Sequence, residues 1–204
     1  FIFKDKSELS KNVSDYISES IRTTLHAKDR FQFCVCGGST PESIYTCLSK
    51  KELNWEKVDI FLGDERCVNP SSDLSNTSML NRSLLKNFGS KADFYNIFND
   101  QKINEDTSIQ LLLEELKKKC KGSPPIFDFS LLGLGNDGHT ASLFPNKNNI
   151  TDQFVITSFG NGLKRISLTP KVLSASRKIA FLVSGSSKKI ALKRLLSNSE
   201  LSDR

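Results

Sequence analysis

The sequence predicts an α/β domain in which a mostly parallel sheet carries helices on both faces. Short apolar segments, typical of buried strands, alternate along the chain with longer segments whose apolar residues recur at helical spacing. Several of the short segments end in glycine and polar residues, as strands often do before a helix. The chain of 204 residues is long enough for one domain with a sizeable core and too short to divide comfortably into two. We therefore expect residues 1–204 to form a single domain.

The predicted elements follow one another without a repeat or an internal linker. Ser7 is expected to cap the first helix, and Pro41 is expected at the first helical position of the second. The predicted helices extend from Ser7 to Lys28, from Ser39 to Leu48, from Ser75 to Leu85, from Asp106 to Leu116, from Val172 to Ala175 and from Ile190 to Leu196. The predicted strands extend from Phe31 to Cys36, Val58 to Leu62, Phe127 to Leu132, Phe154 to Thr157, Arg165 to Leu168 and Ile179 to Val183. This alternation predicts a Rossmann-like arrangement with one parallel sheet.

Composition and charge limit the classes of function. Hydrophobic residues make up 37% and charged residues 25% of the chain, which is ordinary for a soluble globular protein. No apolar segment approaches the roughly 18 residues needed to cross a membrane, so no membrane partner is expected. The net charge of +6 fits either a solvated basic surface or an anionic ligand. The basic residues lack the interleaved aromatic residues of a nucleic-acid groove, which disfavours nucleic acid as a partner.

The five cysteines indicate the compartment. Their number is odd and they form no C-x-x-C pair, which argues against a disulfide framework or a zinc cage. A reducing compartment is the simplest inference, so we expect a cytoplasmic protein without a metal site. No signal peptide is visible. Because the chain begins with Phe1, we expect it to be a fragment of a longer polypeptide.

The segment from Leu131 to Pro145, LLGLGNDGHTASLFP, carries the strongest functional signal. An apolar strand is followed there by three glycines, with Asp137 and His139 inside the turn. Glycines let a backbone turn sharply and approach a ligand closely, and the carboxyl ends of strands are where open α/β sheets bind ligands. A lone histidine is often a structural residue. This chain has only two histidines, and His26 lies in a charged helical segment, which favours a functional role for His139.

Two other interpretations of this segment are disfavoured. Gly133-x-Gly135-x-x-Gly138 matches the dinucleotide-binding fingerprint, but that motif requires a long helix at the turn, and Pro145 follows too soon. A serine hydrolase would use Ser142 or Ser39 as its nucleophile. The chain contains no G-x-S-x-G nucleophile elbow, so this class also ranks low.

A second turn, Gly38-Ser39-Thr40, has the features of an anion site. Free backbone N–H groups at a helix start, the helix dipole and two hydroxyl groups all favour a bound phosphate. A simple helix cap is the alternative. No lysine follows as in a P-loop, which disfavours a nucleoside triphosphate.

Two more turns place charged residues after a strand. Asp64, Glu65 and Arg66 follow the strand that ends at Leu62, where an ion pair among themselves is the alternative to a functional role. Lys188 follows the last strand. The carboxyl ends of parallel strands share one edge of a sheet, so these turns are expected to converge with the two described above on one crevice.

Four segments together resemble the 6-phosphogluconolactonase family. They are CGGSTP from Cys36 to Pro41, FLGDERCV from Phe61 to Val68, LLGLGNDGHTASLFP from Leu131 to Pro145, and RISLTP from Arg165 to Pro170. The resemblance covers most of the chain, and its motifs are specific in combination.

The resemblance implies hydrolysis of 6-phospho-D-glucono-1,5-lactone to 6-phosphogluconate without a metal or an organic cofactor. By resemblance, His139 activates the attacking water and Asp137 orients it, while Arg66 contacts substrate oxygens. The phosphate is expected on Arg165 and Lys188 together with the Gly38, Ser39 and Thr40 turn, and Asp64 and Gly135 are expected among the substrate-binding residues. The assignment of Arg165 depends on the resemblance alone, because Arg165 lies at the start of its predicted strand and not after its carboxyl end.

Two alternatives and one association stay open. The related glucosamine-6-phosphate deaminases share the Asp-Gly-His core, but they carry a glutamate where this chain has Phe144 and a tyrosine where it has Arg66. A non-catalytic sugar-phosphate sensor is the alternative from another class, which the presence of both Asp137 and His139 disfavours. In some lineages the lactonase is fused to glucose-6-phosphate dehydrogenase, and the start at Phe1 leaves such a fusion open.

Overall fold

Helices and strands alternate in the computed structural model, which describes residues 1–98, 104–145 and 147–197. The helices are α1 (Lys6–Ala27), α2 (Ser39–Leu48), α3 (Asn76–Arg82), α4 (Glu105–Lys119), α5 (Pro170–Ser174) and α6 (Lys189–Leu196). The strands are β1 (Phe31–Val35), β2 (Val58–Leu62), β3 (Asp64–Arg66), β4 (Asp93–Tyr95), β5 (Phe129–Gly133), β6 (Val155–Gly160), β7 (Leu163–Leu168) and β8 (Ile179–Leu182).

The larger sheet has five strands in the order β4-β2-β1-β5-β8, and every neighbouring pair is parallel. The chain moves outward from β1 through β2 to β4 and then returns to place β5 on the other side of β1. The order of the strands therefore reverses between β1 and β5. Open α/β sheets bind ligands at the carboxyl ends of the strands at such a point. The mostly parallel α/β fold is confirmed.

A second, three-stranded sheet in the order β3-β7-β6 is antiparallel, and the expectation of one parallel sheet is wrong in this respect. Asn161 and Gly162 connect β6 to β7, with φ angles of 51° and 76°. Positive φ at both positions suits a two-residue hairpin turn, for which Asn-Gly is a strong sequence signal. So short a connection permits only antiparallel pairing.

Gly63 is the point where the chain leaves the first sheet for the second. Its N–H donates to the carbonyl of Val35 in β1 at 2.9 Å, and its carbonyl accepts from the N–H of Leu168 in β7 at 2.9 Å. The residues after Gly63 were expected to form a turn. They form β3 instead, which pairs with β7 from Asp64 opposite Ser167 to Arg66 opposite Arg165.

The helix starts differ from two of the expectations. Asp5, not Ser7, caps α1, since its carboxylate accepts from the N–H of Glu8 at 2.9 Å. Gly38 is the N-cap of α2, so Pro41 occupies its third position, not its first. Ser75, where the third helix was expected to begin, is the N-cap of α3.

Phenylalanines from several strands dominate the main core. Phe33 packs against Phe129 of the neighbouring strand with ring centroids 5.9 Å apart, and β1 and β2 are buried along their whole length. All five cysteines are free thiols. Within residues 1–98, 104–145 and 147–197, no helix combines the length and apolar character that crossing a bilayer requires.

Candidate active site

Asp137 and His139 contact each other in the loop that follows β5. The Nδ1 atom of His139 lies 2.6 Å from Oδ1 of Asp137, and the backbone N–H of His139 donates to the same oxygen at 3.2 Å. The loop is closed by two backbone hydrogen bonds, from the N–H of Gly135 to the carbonyl of His139 at 2.6 Å and from that of Gly138 to the carbonyl of Gly135 at 3.1 Å. The imidazole is thus held close to the end of the central strand.

Gly135 makes this contact sterically possible. A Cβ atom placed on Gly135 would lie 2.2 Å from Nδ1 of His139 and 2.6 Å from Oδ1 of Asp137, far inside contact distance. Gly138 serves a different purpose, because its φ of +98° is a conformation that side chains disfavour. The two glycines are therefore required for space and for backbone conformation, respectively.

The ionisation of Asp137 determines the tautomer of His139. Partial burial acts to raise the pKa of Asp137, but the hydrogen bonds from the backbone and side chain of His139 outweigh it and lower the pKa. Asp137 is therefore a carboxylate at neutral pH and can only accept, so Nδ1 must carry the proton. The lone pair of a neutral imidazole then lies on Nε2, which is the arrangement that a general base needs.

Arg66 and Arg165 lie side by side in the second sheet, directly opposite each other in the β3–β7 pair. Arg165 is 5% exposed, its Nε donates to the carbonyl of Gly160 at 3.3 Å, and its Nη1 lies 3.7 Å from Oδ2 of Asp64. Burial, and then the charge of Arg66, lower the pKa of Arg165. Arg66 forms no salt bridge with any residue that the structure describes, so its charge is available to an anionic ligand.

Arg66 has unused hydrogen-bonding capacity. Its Nη1 donates to the carbonyl of Leu74 at 2.5 Å, while its buried Nε has no partner within the described part of the chain. Buried polar groups are nearly always paired in native proteins. An acceptor from a bound molecule would satisfy this donor.

Ser142 connects the His139 loop to the second sheet. It is fully buried, and its hydroxyl donates to Oδ2 of Asp64 at 2.5 Å. Its carbonyl accepts from the hydroxyl of Ser158 at 2.7 Å, and its N–H donates to the hydroxyl of Ser167 at 3.2 Å. A side chain bound in this way positions Asp64 and is not an accessible nucleophile.

The chain matches the family model described as glucosamine-6-phosphate isomerases/6-phosphogluconolactonase over residues 4–203. It belongs to this family. A 6-phosphogluconolactonase of Rhizobium meliloti is 31% identical over 94% of this chain and 84% of its own length, and one of Nostoc sp. is 29% identical over 97% and 85%. The crystal structure of a 6-phosphogluconolactonase from Shewanella baltica superposes with a TM-score of 0.84 at 28% identity, covering 97% of this chain and 86% of that one.

The glycine turn after β1 lies between the carboxyl ends of β2 and β5. Gly38 has a φ of +114°, and no side chain caps the start of α2. Ser39 is exposed and Thr40 is partly exposed. Because β1 lies between β2 and β5, the turn lies at the point where the strand order reverses. The phosphate role of Gly38, Ser39 and Thr40 stays a prediction that this position supports.

Lys188 lies at the same edge of the sheet, and its side chain forms no hydrogen bond with another candidate residue that the structure describes. It ends the 3-10 turn Ser186–Lys188 that follows β8, the strand beside β5. It is partly exposed and forms no ion pair in the described part of the chain. A flexible, unpaired lysine can reach an anion in the crevice, and its phosphate role also stays a prediction.

Glu65 and Asn76 support the site and were not identified as such from the sequence. Glu65 is 1% exposed, and its carboxylate accepts from the backbone N–H groups of Arg66, Asn76 and Thr77 and from the hydroxyls of Ser75 and Thr77. It thereby fixes the start of α3 beside β3. The Ser-Asn-Thr segment predicted the start of a helix, but it did not reveal the carboxylate ten residues before it.

Asn76 links that helix start to the glycine turn. Its Nδ2 donates to the carbonyl of Asp64 at 2.8 Å, and its amide lies so close to Gly37 that a Cβ atom there would meet Oδ1 at 1.9 Å. The β1 turn and β3 are therefore held at a fixed separation by one side chain.

Proposed function

We propose that this chain hydrolyses 6-phospho-D-glucono-1,5-lactone to 6-phosphogluconate. The observation that carries the proposal is the 2.6 Å contact between Asp137 and His139 at the carboxyl end of β5. The ring of Phe144 contacts both His139 and Arg165, which lies opposite Arg66. A base and two cations are what hydrolysis of a phosphorylated lactone needs. The names of the relatives in Rhizobium meliloti, Nostoc sp. and Shewanella baltica support it independently.

The reaction begins with removal of a proton from water by Nε2 of His139. The water oxygen adds to the lactone carbonyl carbon, and the carbonyl π electrons move to its oxygen. When the carbonyl re-forms, the bond to the ring oxygen breaks, and the ring oxygen takes the proton from the imidazolium. Asp137 stabilises that imidazolium and keeps Nε2 directed at the water.

The cations act on the substrate's negative charges. Arg66 has an unpaired Nε and contacts the oxygens of the reacting end. Arg165, Lys188 and the Gly38–Thr40 turn hold the phosphate, and Asp64 orients Arg165 through the contact at 3.7 Å. Gly135 has no side chain and so leaves room for the imidazole beside Asp137.

The first prediction concerns the base. His139→Ala should lower lactone hydrolysis by about 10²- to 10⁴-fold, which is the usual contribution of a general base. The measurement is kcat/KM with the spontaneous opening of the lactone subtracted. His26→Ala is the matched control, because His26 is exposed on α1 and is the only other histidine. Near-full activity of His139→Ala would refute the assignment.

The second prediction concerns the phosphate. Lys188→Ala and Arg165→Ala should each weaken use of the phosphorylated lactone by roughly 10- to 150-fold, the usual range for a charge-assisted contact. Unphosphorylated gluconolactone should be a poor substrate that responds little to either change. Lys189→Ala, at the next and exposed lysine, is the control. Equal losses on both lactones would exclude the phosphate role.

An ammonia-coupled assay separates the lactonase from the deaminases. Phe144 is 7% exposed and can neither give nor take a proton where the deaminases carry glutamate. We expect no ammonia from glucosamine 6-phosphate. Ammonia release without faster lactone opening would favour the deaminase. Binding of a sugar phosphate without either reaction would favour a sensor.

The cytoplasmic location and the fusion are part of the same proposal. Five free thiols fit a reducing compartment. Imaging of the tagged protein in its own cells tests the cytoplasmic location. Fusion to glucose-6-phosphate dehydrogenase stays a prediction, and the full-length transcript tests it.

A further inference from the structure

Phe144 touches both of the groups on which the proposed reaction depends. Its ring centroid lies 4.6 Å from that of the His139 imidazole, with 38° between the planes. The guanidinium carbon of Arg165 lies 5.6 Å from the same ring centroid. These distances lie within the range of aromatic contact and of cation–π attraction.

Phe144 is buried by the site and not by the main core. It is 7% exposed, yet it lies outside the large cluster of packed apolar side chains that contains Phe33, Phe61 and Phe129. Ordinary core packing therefore does not account for a phenylalanine at this position. Among the residues that the structure describes, its ring packs against His139, Arg165 and Gly160.

Gly160 provides the space for this ring. A Cβ atom on Gly160 would lie 2.0 Å from Cζ, 2.2 Å from Cε2 and 2.6 Å from Cε1 of Phe144. The backbone of Gly160 is not in the left-handed region, so its conformation alone does not require glycine. Its carbonyl accepts from Nε of Arg165 at 3.3 Å. The absent side chain at Gly160 therefore seats the ring and keeps it next to Arg165.

The hydrogen bond to Asp137 fixes only one corner of the imidazole. A ring against its face fixes the plane as well, and the plane sets the direction of the Nε2 lone pair. The same ring restrains the guanidinium of Arg165, whose oxygen contacts are long at 3.3 and 3.7 Å. A single side chain can thus set where the base lies relative to the cation.

We propose that Phe144, seated by Gly160, is a positioning residue that holds the imidazole of His139 and the guanidinium of Arg165 in one fixed arrangement. The kinetic part of this inference rests on the proposed lactonase activity. The geometric part does not, because the orientation of the imidazole can be observed without any substrate.

Two variants test the role in different ways. Phe144→Leu removes the ring, and Gly160→Ala displaces it while leaving Phe144 in place. Each should lower kcat by about 10- to 100-fold, since displacements of about 1 Å at a reacting group have effects of this size. Phe159→Leu is the matched control, because Phe159 precedes Gly160 on β6 and is 59% exposed. It should keep wild-type kcat, and thermal unfolding checks that all three variants are folded.

A double variant tests whether the two residues act together. If Gly160 acts by seating the ring, Gly160→Ala should have no further effect once Phe144 is leucine. The effects on kcat should then be far from multiplicative. Multiplicative effects would overturn the shared role.

The spectroscopic readout is the nitrogen NMR of the imidazole, which reports its tautomer. Two histidines make assignment direct with a His26→Gln variant. Wild type should show His139 protonated on Nδ1, with proton shifts displaced by the adjacent ring. Phe144→Leu and Gly160→Ala should lose the ring displacement of the proton shifts, while Asp137 keeps the proton on Nδ1 in both variants. Unchanged spectra with wild-type kcat would overturn the proposal. If the wild-type protein has no lactonase activity but the spectra of the two variants still change, the positioning role is supported and the proposed function is refuted.

Discussion

Gly135 shows how one absent side chain shapes the site. The imidazole and the Asp137 carboxylate occupy the volume that any larger residue would need. The sequence indicated only that a glycine-rich turn was present. The structure distinguishes glycines needed for space, such as Gly135, from glycines needed for positive φ, such as Gly138.

The third prediction follows from that difference. Gly135→Ala should lower kcat/KM by about 10²-fold, because Cβ would displace Nδ1 of His139 from Asp137. Gly133→Ala is the matched control, since a Cβ atom there meets nothing within 4 Å and neither glycine has positive φ. The lactonase assay compares the two. Equal activity of both variants would show that the close approach is not needed.

Helix α3 depends on a carboxylate from another element. Glu65 of β3 accepts four hydrogen bonds from the start of this helix and a fifth from the N–H of Arg66 in its own strand. The helix is short, so its stability comes from this contact and from packing more than from its own propensity. Through Asn76 the same contact also fixes the Gly37 turn.

The fourth prediction concerns this helix start. Glu65→Gln would direct an NH₂ group at N–H and hydroxyl donors, so the free energy of unfolding should fall by about 3 kcal/mol. Urea unfolding measures it. Glu42→Gln is the control, because Glu42 pairs with Arg82 on the surface, where such pairs contribute about 0–1 kcal/mol. A loss no larger than that of the control would contradict the role of Glu65.

The carboxyl and amino edges of the larger sheet carry different groups of polar residues. The candidate site occupies the carboxyl edge, while the amino edge carries a network of charges. There Arg30 pairs with the buried Asp59 at 2.7 Å and with Asp93 of β4 at 2.5 Å. Gln32 and Tyr95 also donate to Asp59, at 2.9 and 3.0 Å. The network joins β1, β2 and β4 far from the chemistry.

The fifth prediction gives this network a pH dependence. Burial acts to raise the pKa of Asp59, but hydrogen bonds from Arg30, Gln32 and Tyr95 outweigh it and lower the pKa. A lowered pKa contributes stability above the unfolded value of about 3.9, which is lost as the pH falls through the folded value. The stability difference between wild type and Asp59→Asn should therefore be largest near neutral pH and shrink below about pH 4.

Urea unfolding at several pH values measures this difference, with Asp15→Asn as the control because Asp15 is 51% exposed in its pair with Lys51. The kcat of Asp59→Asn should equal that of wild type under conditions where both are folded. A pH-independent difference would contradict the ionised state of Asp59.

The sequence by itself determined the order of elements and the turns that carry the chemistry. The periodicities of strands and helices are local, and so are the glycine-rich turns at Gly38 and Gly135. The sequence alone therefore predicts them. The pairing of Asp137 with His139 follows from two positions of separation in one turn. The family motifs strengthened these assignments because they occur in order along the chain.

Only the tertiary structure decided how distant segments meet. Arg165 was expected at the start of its strand, but the β6–β7 hairpin places it inside β7, opposite Arg66 and about one hundred positions away in sequence. The Asn161-Gly162 turn was a local signal for that hairpin, and the pairing of β7 with β3 was not. Glu65 at the start of α3 and Phe144 against Gly160 are contacts of the same kind. Such contacts depend on which strands become neighbours, and strand pairing is a long-range choice that local periodicity does not encode.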